Sequence, residues 1–149
     1  MNFSKLSIQD AYEITQEPNQ DSRGFFSRIF CKDQVRSAGI SSEVYHINNS
    51  LNKYKGTVRG FHYQIGKYAE TKIMRCITGK VLNIMIDIRP KSPTFCEHVT
   101  LILDSQKRNM SYVPVGFANG IQTLEDNSEL IYFASAPYSP EHERGIRWD

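Results

Sequence analysis

The sequence predicts an all-β fold, a sandwich or jelly-roll barrel whose mouth can hold one small ligand. Three observations carry that prediction. Eight short segments rich in β-branched and aromatic residues recur along the chain, turn-forming residues separate them, and only one stretch has the character of a helix. The strand segments are "GFFSRIF", "SEVYHINNSL", "TVRGFHYQ", "TKIMRCIT", "KVLNIMIDIR", "EHVTLILD", "MSYVPV" and "SELIYFASA". The helical stretch is "KDQVRSAGI", stopped at Gly39. Proline and glycine are expected between strands, as in "RPKSPTF" and "PVGFANG". Closing such strands into a barrel or stacking them as two sheets disposes of their free edges and leaves a mouth for a ligand.

Composition narrows the function classes. The chain has 149 residues, 40% hydrophobic and 23% charged, with a net charge of +2, and is expected to form one domain over residues 1–149. A nucleic-acid binder would show a basic stripe, and this charge is too balanced for one. No window resembles a membrane span, and the N-terminal "MNFSKLSIQDAYEIT" lacks the charged-then-apolar run of a signal peptide, so a cytoplasmic location is expected. Cys31, Cys76 and Cys96 are odd in number and widely spaced, which predicts free thiols rather than a disulfide framework or a zinc site.

Alternation along the strands separates faces. In "KVLNIMIDIR", Leu82, Ile84, Ile86 and Ile88 share one side, expected to be core, while Val81, Asn83, Met85 and Asp87 share a mixed side. In "TKIMRCIT", Lys72, Met74 and Cys76 lie together; Lys72 reaches solvent along its stem or faces a ligand. "TVRGFHYQ" is the unusual segment. Strict alternation groups Val58, Gly60, His62 and Gln64 and sends Arg59 to the opposite side, so Arg59 and His62 meet one ligand only if the strand breaks register. Gly60 is where a β-bulge costs least. The alternative is an edge strand with an exposed Arg59 and a structural His62.

Taken together, "DSRGFFSRIF", "GTVRGFHYQ", "TKIMRCITGKVLNIMIDIRPKSPTF", "YVPVGFANG" and "YSPEHERGIRWD" resemble, in order and over Asp21 to Asp149, the dTDP-4-dehydrorhamnose 3,5-epimerase family. The resemblance implies a cupin fold, a jelly-roll barrel with one or two short helices. It implies epimerisation of a nucleoside-diphosphate 4-keto-6-deoxysugar at carbon 3, carbon 5 or both, within deoxysugar biosynthesis. The carbonyl at carbon 4 acidifies its neighbouring carbons, so this chemistry needs a base on one ring face, a stabiliser for the enolate, and an acid on the other face. It needs neither metal nor cofactor. An H-x-H pair of metal-binding cupins is also missing from "FHYQ", so no metal is expected. By resemblance His62 is the base, Tyr132 the acid and Lys72 the partner of the oxyanion. Arg59 meets the diphosphate, a task for a fixed fork of donors. Arg23 and Phe26 reach a partner subunit's nucleotide in a homodimer built by exchange of N-terminal strands, Tyr138 stacks near the base, and Asn49 lines the substrate groove. Glu143 matches the tail motif or is a solvated loop carboxylate. His46, His98 and His142 are expected at the surface.

Departures from the family pattern refine these expectations. Asn119 stands in place of a usual histidine near the sugar, a substrate-binding position where an amide can hydrogen-bond but cannot relay a proton; Asn83 stands in place of an aspartate, Ile47 of a glutamine and Arg28 of a glutamate. Arginine at the base-contacting position suits the acceptor edges of cytosine or guanine, so CDP- and GDP-linked sugars join dTDP-linked ones as expected ligands. Typical members continue past "GIRWD" to an aspartate that orients the catalytic histidine; Asp87 or a neighbouring subunit is expected to supply a replacement. With an amide at 119, epimerisation narrowed to one carbon is the expectation, and a non-catalytic sugar-nucleotide-binding or interaction module is the alternative.

Overall fold

The computed structural model describes residues 1–149, which form thirteen strands, one α-helix and a 3₁₀ turn at Gly66–Tyr68. The strands are β1 (Asn2–Lys5), β2 (Tyr12–Thr15), β3 (Asn19–Asp21), β4 (Gly24–Phe26), β5 (His46–Asn52), β6 (Val58–Gln64), β7 (Lys72–Thr78), β8 (Lys80–Asp87), β9 (His98–Asp104), β10 (Met110–Val113), β11 (Phe117–Thr123), β12 (Ser128–Ala134) and β13 (Glu143–Gly145). They make a six-stranded sheet in the order β1-β2-β10-β7-β12-β5, a five-stranded sheet in the order β13-β6-β11-β8-β9, and a separate β3-β4 hairpin. Every neighbouring pair is antiparallel, and strands distant in sequence lie side by side, which is the crossing pattern of a jelly roll. No helix is long and apolar enough to cross a membrane.

The six-stranded sheet is apolar on both faces because each is covered. Alternation along β7 sends Met74 and Cys76 to the interior, where they join Val81, Met85, Leu103, Val113 and Leu130. It sends Ile73 the other way, to pack with Ile14, Val35, Met110, Tyr112 and Phe133. Val35 is the buried residue of helix α1 (Lys32–Ser37), which lies over that second face. Asp33 in its first turn and Arg36 in its last complement the helix dipole, and Gly39 just beyond has a φ of 77°, the left-handed stop expected from the sequence. All three cysteines are free, and burial pushes the Cys76 thiol up to about 11, so it is inert at neutral pH.

Two expectations fail here for instructive reasons. The aliphatic side of β8, expected to be core, is the outer one: Leu82, Ile84 and Ile86 are half-buried, whereas Val81, Asn83, Met85 and Asp87 are all 0% exposed. The polar groups that made that side look mixed are the ones the interior uses. Of the segment "PVGFANG", expected to lie between strands, the part "FANG" opens β11, a central and almost wholly buried strand between β6 and β8. Its Gly120 is needed for close approach, since a Cβ there would stand 2.8 Å from the Phe61 ring.

Asp87 ends β8 in a local network. Arg89 donates to it from Nε and Nη2 at 2.9 and 2.8 Å, and the Ser92 and Thr94 hydroxyls at 2.5 and 2.7 Å. Burial alone would push its carboxyl up, but these donors outweigh burial and hold it well below the usual carboxylate range. The corner that turns β8 toward β9 therefore contains a carboxylate that stabilises the fold only when ionised. This contribution is fully present above the unfolded-state value of about 4 and fades as pH falls through that value toward the folded one. Asp87→Ala, which leaves Arg89 without its inner partner, is expected to cost about 3 kcal/mol in chemical denaturation at pH 7. The difference from the parent protein should shrink as the pH of the measurement is taken below about 4.

Candidate active site

The site begins with a break in β6. Asn119 pairs with His62 and Ile121 with Arg59, so two residues of β6, Gly60 and Phe61, oppose the single Gly120 of β11. Gly60 has a φ of +136°, and a Cβ on it would stand 2.5 Å from the Gly120 Cα. The bulge therefore requires glycine for conformation and for space. Its consequence is that Arg59 and His62, which strict alternation would separate, both line one cavity of about 470 Å³.

That cavity lies between the two sheets. The five-stranded sheet contributes Arg59, Gly60 and His62 from β6 and Asn119 and Ile121 from β11; the six-stranded sheet contributes Ser50 from β5, Lys72 and Met74 from β7, and Leu130 and Tyr132 from β12. Met74, Ile121 and Leu130 also belong to the interior cluster, so the floor of the cavity is the core itself. A second lobe of about 560 Å³ shares His62, Lys72 and Tyr132 with the first and extends past His46, Asn48 and Glu70 to Tyr138 and Glu143. The imidazole and the phenol thus approach a common space from facing sheets, and Lys72 lines both lobes with them.

Each charged group in the cleft is held by its own chain. Arg59 donates from Nε to Asn52 Oδ1 at 2.6 Å, and the buried Asn52 donates to the Ser128 carbonyl at 3.3 Å, which leaves the guanidinium's outer fork for a ligand. Lys72 Nζ lies 3.1 Å from Glu70 Oε1, with only 18% and 10% of the two side chains exposed. His62 Nδ1 lies 3.4 Å from Glu143 Oε1, and the Tyr138 hydroxyl donates to Glu143 Oε2 at 2.8 Å. Pairing of β13 with β6 sets Glu143 there, opposite Gln64. Burial raises the Tyr132 phenol above the ordinary tyrosine value and Glu70 raises it further, against a smaller opposing effect of Arg59. Tyr132 is thus a protonated donor at neutral pH.

His62, Tyr132, Lys72, Arg59 and Asn119 are brought together, and Tyr138 and Glu143 join them through the second lobe. Asn49 is not among them. On β5 the inward positions are His46, Asn48 and Ser50, so Asn49 faces outward and donates to Glu129 Oε1 at 2.7 Å; Asn48 takes the place expected of it. His46, expected at the surface, lines the second lobe. Asp87 is committed to Arg89, Ser92 and Thr94 and does not line the cavity; the carboxylate facing His62 is Glu143. Arg23 and Phe26 sit on the β3-β4 hairpin, and Arg28 just beyond it, all exposed and outside the cleft. Glu70 escaped sequence reasoning, although its place two residues before Lys72 on an extended chain puts both on one side. No group of three His, Cys, Asp or Glu side chains is arranged to hold a metal ion.

The profile of dTDP-4-dehydrorhamnose 3,5-epimerase matches residues 5–149. The chain belongs to that family. An epimerase of this name from Sinorhizobium fredii is 36% identical over 149 residues, covering all of this chain and 76% of the relative. The Bacillus anthracis enzyme, solved with TDP and PPi bound, superposes with a TM-score of 0.96 at 29% identity, covering 99% of this chain and 85% of that one. The Legionella pneumophila enzyme, solved with dTDP-4-keto-L-rhamnose, superposes with a TM-score of 0.92 at 30% identity, covering 99% and 78%. This family member is therefore an isomerase acting on carbohydrate, built on the cupin jelly roll that the sequence predicted.

Gly60→Ala in this epimerase is expected to abolish activity and lower the melting temperature, because the methyl group forces β6 and β11 apart where the bulge places Arg59 and His62. Melting temperature together with turnover checks it: a stable, active Gly60→Ala protein would mean that the bulge does not set the site.

Proposed function

We propose that this protein epimerises a dTDP-linked 4-keto-6-deoxyhexose, with His62 as base and Tyr132 as acid. The supporting observation is that these two rings, carried by opposite sheets, line both lobes of one cleft, as Lys72 does. His62 takes the proton from the carbon beside the carbonyl. Lys72, held by Glu70, meets the oxygen on which the enolate charge gathers, an interaction that strengthens as the charge develops. Tyr132, kept protonated by burial and by Glu70, returns a proton to the opposite face. Arg59 offers its outer fork to the diphosphate, and the exposed Tyr138 ring flanks the path to the base.

The dTDP assignment rests on the TDP and dTDP-4-keto-L-rhamnose held by the relatives. Arg28, the residue that pointed to cytosine or guanine, lies outside this chain's cleft, in a groove it shares with Phe26, Glu17 and Gln34. The hairpin carrying Arg23 and Phe26 leaves Phe26 69% exposed, an apolar side chain suited to a partner subunit's nucleotide in a homodimer. The amide at 119 takes up no proton at neutral pH, which supports epimerisation at one carbon.

Incubating dTDP-4-keto-L-rhamnose in deuterated buffer tests the whole proposal by NMR. Label is expected at one ring carbon next to the carbonyl, and His62→Asn should slow its entry by at least about 100-fold. Tyr132→Phe should still admit label but without inversion, because the base can return a proton only to its own face. Absence of label with the parent protein would identify a binding module instead. In a thermal-shift panel dTDP is expected to stabilise, by about 2.7 kcal/mol at a hundred times its Kd, while CDP and GDP leave the melting temperature unmoved.

A further inference from the structure

The second lobe contains two carboxylates, Glu70 and Glu143, and they differ in what remains open on them. Glu143 has both oxygens engaged: Oε1 lies 3.4 Å from His62 Nδ1, and Oε2 accepts from the Tyr138 hydroxyl at 2.8 Å. On Glu70, Oε1 lies 3.1 Å from Lys72 Nζ and no group of the chain donates to Oε2. An ionised carboxylate has room for about four donors, so most of the accepting capacity of Glu70 is unused. Its side chain is only 10% exposed, and an acceptor left unpaired where little water reaches it is costly. Nor is Oε2 sealed in. The buried side-chain atoms that lack a partner are Gln16 Nε2, Arg75 Nε, Asn83 Oδ1 and Ser111 Oγ; Glu70 is not among them, and the space it lines is the second lobe. That lobe therefore presents, side by side, a donor in Lys72 and a fixed acceptor in Glu70.

We propose that the Lys72–Glu70 pair reads the hydroxyketone edge of the sugar, with Lys72 donating to the carbonyl oxygen on carbon 4 and Glu70 Oε2 accepting from the hydroxyl on carbon 3. This deepens the epimerase reading and rests on it. The choice of hydroxyl follows from what a 4-keto-6-deoxyhexose linked to a diphosphate can offer. Its carbonyl only accepts, and its ionised diphosphate both accepts and is repelled by a carboxylate. The donors on the sugar are the hydroxyls of carbons 2 and 3, and the one on carbon 3 is next to the carbonyl that Lys72 meets. No bond to Glu70 is made or broken, and the hydroxyl keeps its proton. Glu70 is thereby a specificity-determining residue: a ligand whose carbon 3 carries no hydroxyl leaves the buried carboxylate half unpaired, and a site built to accept from a hydroxyl rejects the analogue that lacks it.

The 3-deoxy analogue of dTDP-4-keto-L-rhamnose tests the inference, since both sugars carry exchangeable hydrogens beside the carbonyl. In deuterium entry the parent protein is expected to favour the hydroxylated sugar at least about 100-fold in kcat/KM. Glu70→Leu should lower that preference at least about tenfold, and Glu70→Gln, which keeps a neutral acceptor, should lower it less. If Glu70 only held Lys72 in place, the variants would slow both sugars alike and leave the preference unchanged. Should Glu70→Leu not fold, Glu70→Ala replaces it. Dissociation constants of the two sugars, measured by calorimetry on the His62→Asn protein with and without the Glu70 substitution, read the same preference without turnover. A parent protein that handles or binds both sugars equally overturns the inference, as does a preference that survives removal of the carboxyl group. Absence of label with the parent protein while the binding preference holds overturns the epimerase reading and leaves the recognition of the hydroxyl standing.

Discussion

The contact on which the site depends is the one between two glycines. Gly60 and Gly120 come so close that a single Cβ on Gly60 would overlap the backbone of Gly120. That approach lets β6 carry one residue more than β11 and still stay paired to it. Without the extra residue, pleating would send Arg59 and His62 to opposite faces, and a ligand could meet one or the other. With it, the donor fork and the imidazole enter the same cavity. The cost falls on conformational freedom and on ladder regularity at one place, and the rest of the sheet, paired without interruption from Phe117 to Thr123 against β8, compensates.

A second constraint is electrostatic. The cleft gathers an ammonium, a guanidinium and an imidazole, and each has an oxygen partner from its own chain: Glu70 for Lys72, Asn52 for Arg59, Glu143 for His62. These partners fix side-chain positions before any ligand arrives, so little ordering remains to be done on binding. They also differ in exposure. The Lys72–Glu70 pair is nearly buried, while His62 and Glu143 are 52% and 34% exposed at the second lobe. Burial raises the Tyr132 phenol, and the same Glu70 that holds the ammonium raises it further. One carboxylate thereby acts on both Lys72 and Tyr132.

The needs of the interior explain why β8 buries its mixed face. A solid sandwich would bury the aliphatic side of β8 and expose the side with Asn83 and Asp87. Here the interior must end in a polar cavity at one end and in a turn network at the other. Asn83 faces the first through Asn119, and Asp87 builds the second with Arg89, Ser92 and Thr94. Met85 supplies the apolar filling between them, and Val81 joins the core on the other side of Asn83. Burial on this strand follows the demands of its neighbours, not its hydrophobicity.

By itself the sequence determined the strand character of most of the chain, the one helix and its glycine stop, and the conditional statement that Gly60 must bulge if Arg59 and His62 are to act together. These features are local: β-propensity, turn chemistry and the need for a residue without a Cβ are written within a few positions of one another. Its motif order was equally sufficient for the family, because five segments in register are far more specific than any one of them. Tertiary structure alone decided that "FANGIQT" is a buried central strand, that Asn48 and not Asn49 faces inward, and that Glu143 and not Asp87 stands beside His62. Each of those outcomes depends on which distant strand lies alongside, and the pairing of β6 with β11 and β13, or of β12 with β5, is fixed by packing between segments tens of residues apart, information that no local window contains.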